Sequence, residues 1–112
     1  MQGYLSTSMP DFYLKRNDQL PDIIATLEGV ETLAESVVSF KYRKKGTDTV
    51  MGKACTIVDP AARIVRVEWS VGDTVESGEY YAEFEAVYPA VSKAITFPND
   101  GFLTFLIVDD LA

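Results

Sequence analysis

Histidine is absent from this 112-residue chain, and there is a single cysteine, Cys55. The first absence removes the commonest general base and metal ligand, and with it any Ser-His or Cys-His nucleophilic pair. The second excludes an internal disulfide. Positive charge is scarce as well. Ten Lys and Arg face 17 Asp and Glu, leaving a net charge of -7, which repels the phosphates of a nucleic acid. No apolar run approaches the ~20 residues that span a bilayer. Met1-Gln2-Gly3-Tyr4 offers no basic stretch ahead of an apolar one, so neither an export signal nor a membrane partner is expected, and synthesis in a cytosol-like compartment is. What the chain does have is apolar mass. Hydrophobic residues make up 47% and aromatic residues 12%, enough for one domain that buries roughly two-thirds of its unfolded surface without staples. The same composition excludes a disordered segment.

Period-two alternation dominates the pattern. Residues 1–10, with Ser6, Thr7, Ser8 and Pro10, read as an extended N-terminal arm, and residues 11–112 as the domain. Strands are predicted at Phe12-Tyr13-Leu14, then from Asp22 to Glu28 after a polar turn at Arg16-Asn17-Asp18. Thr32 to Ser36 fits a single helical turn. From Val37 to Lys45, Val38, Phe40 and Tyr42 share one face while Lys41, Arg43 and Lys45 share the other. A further strand is expected across Lys53 to Val58, broken at Asp59-Pro60. Val65, Val67 and Trp69 are expected to point inward, with Trp69 near the centre of the core. Tyr80, Ala82, Phe84, Ala86 and Tyr88 are assigned to the core, because the opposite set carries Glu83 and Glu85. Lys93 to Phe97 and Phe102 to Val108 read as two strands joined in a hairpin by Pro98-Asn99-Asp100-Gly101. Short strands with turns at roughly 8–12 residue intervals describe an all-β protein, an antiparallel β-sandwich of seven to eight strands, with a small closed barrel as the competitor.

The chain from about Phe12 onward resembles the immunoglobulin-like domain of bacteriophage virion proteins. That family is best known as the N-terminal domain of phage upper baseplate proteins, and small stand-alone phage structural proteins share it. The resemblance is carried by Asn17-Asp18 with Leu20-Pro21, by Val37-Val38-Ser39-Phe40-Lys41-Tyr42-Arg43, and by Ala54-Cys55-Thr56-Ile57-Val58-Asp59. Val65-Arg66-Val67-Glu68-Trp69, Gly72-Asp73-Thr74, Gly78-Glu79-Tyr80-Tyr81-Ala82-Glu83-Phe84 and Phe97-Pro98-Asn99-Asp100-Gly101 complete it. It implies an immunoglobulin-like fold, a virion location and other phage virion proteins as partners, with the chain present in many copies. Because the sequence stops at Ala112 without a receptor-binding extension, neck, tail and capsid are expected homes beside the baseplate.

Few residues suggest chemistry. Glu83 and Glu85 share a strand face roughly 7 Å apart, near the spacing of a glycosidase pair, yet two carboxylates on a solvated strand are ordinary. Asp59, Asp73, Asp100, Asp109 and Asp110 are hard ligands for calcium, though most fall in turns that favour Asp for its own hydrogen bonds. Cys55 lies beside Ala54 and Ile57 and reads as an inert thiol. No catalytic residue, cofactor or metal is assigned. The partner-binding candidates are Lys41, Arg43 and Lys45, a positive stripe on an acidic chain, and Tyr4, Leu5 and Met9, apolar anchors in the arm. The stripe has an alternative as a solvated face paired with residues like Glu68 or Glu83. The expected function is a non-enzymatic virion structural protein attached to tail, baseplate or neck. Its alternatives are a capsid decoration protein and a carbohydrate-binding module that uses Tyr4, Tyr13, Tyr81 or Tyr88.

Overall fold

A computed structural model describes residues 10–98, 101–109 and 111. The arm candidates Tyr4, Leu5 and Met9, and Asp100 and Asp110 of the calcium set, lie outside the described residues. Nine strands are described: β1 (Phe12–Lys15), β2 (Ile23–Thr26), β3 (Val37–Lys44), β4 (Met51–Ala54), β5 (Thr56–Asp59), β6 (Ile64–Val67), β7 (Gly78–Tyr88), β8 (Lys93–Phe97) and β9 (Leu103–Val108). The fold is all-β, with a large sheet ordered β1-β9-β7-β3-β4 plus β8 on β7, and a small sheet ordered β2-β6-β5.

The backbone of the large sheet is the β3–β7 pair. Its antiparallel register sets Phe40 opposite Phe84 and Tyr42 opposite Ala82. Val38, Phe40 and Tyr42 of β3 and Tyr80, Ala82, Phe84 and Ala86 of β7 are buried, while Tyr88 at the end of β7 is only half-buried, the alternation expected where one face meets a core. Gly78 opens β7 at φ +145°, and a Cβ there would lie 2.6 Å from Lys44 Cε. The backbone angle therefore favours glycine, whereas the flexible end of Lys44 could move aside for a side chain.

The two sheets enclose one core. Val38, Phe40, Tyr42, Tyr80, Phe84, Phe105 and Ile107 come from the large sheet, while Ile23, Val65 and Val67 come from the small one. Trp69 follows β6 and is 5% exposed. It packs edge-on against Phe40 at 6.1 Å and Tyr42 at 5.8 Å, and tilted against Phe105 at 5.7 Å. Tyr80 stacks on the other side of Phe105 at 4.9 Å. Trp69 and Tyr80 thus meet in one core through Phe105. Burial pushes the Tyr42 hydroxyl up to about 12, with the Asp73 carboxylate and Tyr80 adding to the rise.

Nine strands are described in place of the seven to eight expected, and β1 pairs β9 in parallel within a sheet expected to be antiparallel. Three local expectations are corrected as well. Thr32 to Ser36 forms no helical turn: Glu35 has φ +62°, Thr32 Oγ1 accepts from the Ala34 N–H at 3.0 Å, and the Ser36 N–H donates to the Leu33 carbonyl. A side-chain acceptor and one left-handed residue make a turn instead. Lys53 to Val58 is not one strand. The chain changes sheets at Cys55, with β4 pairing β3 and β5 pairing β6, while the alternation runs on unbroken and hides the change.

The hairpin between Phe97 and Phe102 is also absent. β8 and β9 both run antiparallel to β7, with Phe97 opposite Phe84 and Leu103 opposite Ala82. They therefore lie end to end along one edge of β7, with Glu83 between the last position paired to β8 and the first paired to β9. Asp-Gly supports a tight reversal only where the next strand returns on the last. Here β7 supplies a better partner for both, after the 3₁₀ turn Pro89–Val91 that ends at Ser92 with φ +55°.

Candidate functional site

The solvent side of the large sheet gathers the features that suggest docking. On β3, Lys41 and Arg43 point away from the core, opposite Glu83 and Tyr81 of β7. Lys41 Nζ donates to Glu85 Oε1 at 3.0 Å, on the diagonal from its register partner. Lys45, just beyond β3, reaches Glu79 Oε1 at 3.5 Å. The cross-strand pairing expected for a solvated stripe is thus present, with Glu85 and Glu79 in place of Glu68 and Glu83. Water screens such pairs, so each contributes little stability.

Arg43 behaves differently. Its guanidinium carbon lies 5.5 Å from the Tyr81 ring centre and 6.0 Å from that of Phe102. The two rings stand 5.6 Å apart, and Nη1 donates to the Thr47 carbonyl at 3.1 Å. Phe102 sits just before β9, whose placement on the edge of β7 the expected hairpin did not foresee. A hairpin would have carried it elsewhere. Arg43, Tyr81 and Phe102 form a cation-aromatic ledge, bordered by Val50, Lys41 and Glu83 around a depression of about 60 Å³. That volume holds about two water molecules, well short of the roughly 300 Å³ at which small-molecule pockets begin. Phe102, Tyr13 and Val50 remain 49%, 52% and 61% exposed. The surface suits a broad partner better than an enclosed ligand.

The remaining candidates take structural roles. Asp59 Oδ1 accepts from the Ala62 N–H. Asp73 Oδ2 accepts from the Ser70 N–H at 2.6 Å and from Lys53 Nζ at 2.7 Å. Among the described residues, no three of His, Cys, Asp and Glu come together as metal ligands. Cys55 is half-buried at the sheet change, and burial pushes its thiol up to about 11, far from the thiolate that reacts. Tyr88 spends its hydroxyl on the Thr32 carbonyl at 2.6 Å, pinning the β2–β3 connection.

No family model, curated protein or solved structure matches this chain. The site is therefore read from its own geometry.

Lys53 and Asp73 tie the β4 edge to the turn after Trp69, with side chains 16% and 24% exposed. Burial raises the Asp73 carboxyl, but the hydrogen bonds from Lys53 and Ser70 and the Lys53 charge outweigh it and hold the group below its ordinary value. A lowered carboxyl stabilises the fold in full above the ordinary carboxylate range near pH 4 and ceases to as pH falls through the folded value. Asp73→Asn should cost about 1–2 kcal/mol at neutral pH. It should also flatten the loss of stability between about pH 5 and pH 2. Urea titrations of both proteins across that window check it, and parallel pH profiles would contradict it.

Proposed function

We propose that this chain is an immunoglobulin-like, non-enzymatic structural protein of a bacteriophage virion, which attaches in multiple copies to a larger symmetric assembly on the tail side. The observation that carries the immunoglobulin-like part of the reading is the strand order. In immunoglobulin-like domains one sheet holds strands B, E and D and the other holds C, F and G, with C′ added at the C edge in some. The small sheet β2-β6-β5 corresponds to B-E-D, and β4-β3-β7-β9 corresponds to C′-C-F-G. Tyr80, near the start of β7, donates from its hydroxyl to the Glu76 carbonyl at 2.6 Å. That matches the tyrosine corner of the fold. Three features depart from antibody domains. An extra strand, β8, lies between β7 and β9 in sequence and pairs with β7. The large core ring on the C position is Phe40 rather than Trp, and Cys55 has no second cysteine to bridge the sheets.

Fold alone does not assign function, so the virion part rests on the phage-domain resemblance of Val37 to Arg43 and Gly78 to Phe84. Support for docking comes from the exposed ledge of Arg43, Tyr81 and Phe102 beside Lys41 and Lys45. Aromatic and Arg side chains are enriched at protein interfaces. Chains at -7 repel one another unless such complementary surfaces meet.

Quantitative mass spectrometry of purified particles tests this reading. The chain is expected at a stoichiometry set by rotational symmetry, with a capsid-scale number assigning it to head decoration instead. Reversing Lys41 and Lys45 to Glu should slow attachment and weaken its dependence on salt while leaving the domain folded. Absence of the wild-type chain from particles would overturn the proposal. Normal attachment by the reversed variant would return the stripe to a plain solvated face.

A further inference from the structure

Among the described residues, β8 has one edge with no strand beside it. One side of Lys93–Phe97 pairs with β7, and no strand among the described residues pairs with the other, because β1 covers β9 only from Phe105 to Val108. An edge of this kind presents unpaired N–H and C=O groups, and proteins usually blunt it with charge, proline or a bulge. Here the only charge is Lys93 at one end, and Pro98 follows the other. Between them Ala94 and Thr96 are small and exposed, and Ile95 is only half-buried against the core. An added strand would complete the cover of Ile95 and satisfy the edge.

Nine residues precede the described chain, and the point at which they join it is fixed. The Asp11 N–H donates to the Thr104 carbonyl at 2.8 Å, and the Thr104 N–H donates to Asp11 Oδ2 at 2.9 Å. At about 3.3 Å per residue, that segment reaches some 30 Å. It carries no Asp, Glu, Lys or Arg, so it is a part of this acidic chain that can approach another copy without side-chain repulsion. In an extended strand Leu5, Thr7 and Met9 fall on one side, and Ser6 and Ser8 on the other.

The pleat decides which copy receives it. β1 turns Phe12 and Leu14 inward and Tyr13 outward. An unbroken continuation onto the same molecule's β8 would turn Ser8 and Ser6 inward and leave Leu5 and Met9 in solvent. One residue of slip exchanges the faces. A strand arriving from a second molecule has no such constraint and can set Leu5 and Met9 on the core side, beside Ile95. We propose that the β8 edge is a strand-acceptor site, and that its occupant is residues 5–9 of a second copy of this chain. Backbone hydrogen bonds supply the affinity and the alternate side chains supply the register.

The inference rests on the multi-copy reading above, but its test uses purified protein, so it fails or stands apart from particle occupancy. Sedimentation of the full chain should show association that grows with concentration, and hydrogen exchange at Lys93–Phe97 should slow about tenfold as association proceeds. A chain lacking residues 1–9 should stay monomeric and exchange fast there. A synthetic peptide of residues 1–10 added to it should restore the protection. Thr96→Lys in the full chain should abolish association with unchanged melting, since that side chain is exposed. Three results would overturn the proposal: a full chain monomeric at its highest soluble concentration, slow exchange at β8 that is independent of concentration, or association that survives the truncation.

Discussion

Phe105→Ala is expected to destabilise the domain by about 3–5 kcal/mol, the range for emptying a buried aromatic site. That is a large part of the total stability of about 5–15 kcal/mol typical of domains. Phe105 is fully buried on β9, and its ring touches Phe40, Tyr42, Trp69 and Tyr80 at 4.9–6.1 Å between centres. Truncation leaves a void that four large rings cannot collapse to fill. Trp69→Ala should fall in the same range, because its indole is 5% exposed and packs against Phe40, Tyr42 and Phe105. Phe102→Ala, half exposed, should cost less than about 1 kcal/mol. Chemical denaturation of the three variants is the measurement. A near-neutral Phe105 or Trp69 variant would mean that the inward face is misassigned.

Removing residues 1–9 is expected to abolish incorporation into particles while leaving a folded, soluble domain. The backbone pairings described for β1 begin at Asp11, with Phe12 set opposite Phe105, so the truncation takes away none of them. Circular dichroism and the melting temperature should therefore match those of the full chain. Immunoblots of purified particles should lose the signal. Truncated protein at wild-type occupancy would eliminate the arm as an attachment element, whatever strand pairing the free chain shows.

The parts of the fold that the sequence made legible are those where one face of a strand meets the same core along most of its length. Val37 to Lys44 and Gly78 to Tyr88 alternate cleanly because each lies between two neighbours over one continuous core. Val65, Val67 and Trp69 were legible for a simpler reason: apolar side chains at every second position have only one side to bury. Cys55 hid the change of sheets because period-two alternation reports which side faces the core and is silent about which strand lies alongside. Pro98 to Gly101 misled because turn chemistry is local, whereas the pairing of β8 and β9 was decided by the length of β7, 11 residues, long enough to take both. The ledge of Arg43, Tyr81 and Phe102 depended on that same placement. Lys41 and Lys45 could be seen as a stripe, but their carboxylate partners could not, since register fixes Glu85 and Glu79 only once β7 is in place.

The parallel pairing of β1 with β9 bears on how the domain would carry load. The two strands lie side by side and point the same way, and the chain enters at the start of one and leaves at the end of the other. Tension applied through the two ends of the polypeptide pulls these strands along their length in opposite directions. The bonds from Phe12 to Lys15 are then strained together, as a lap joint is, instead of parting in sequence as a zip does. A protein built in this way resists stretching along its own chain far better than peeling at a corner.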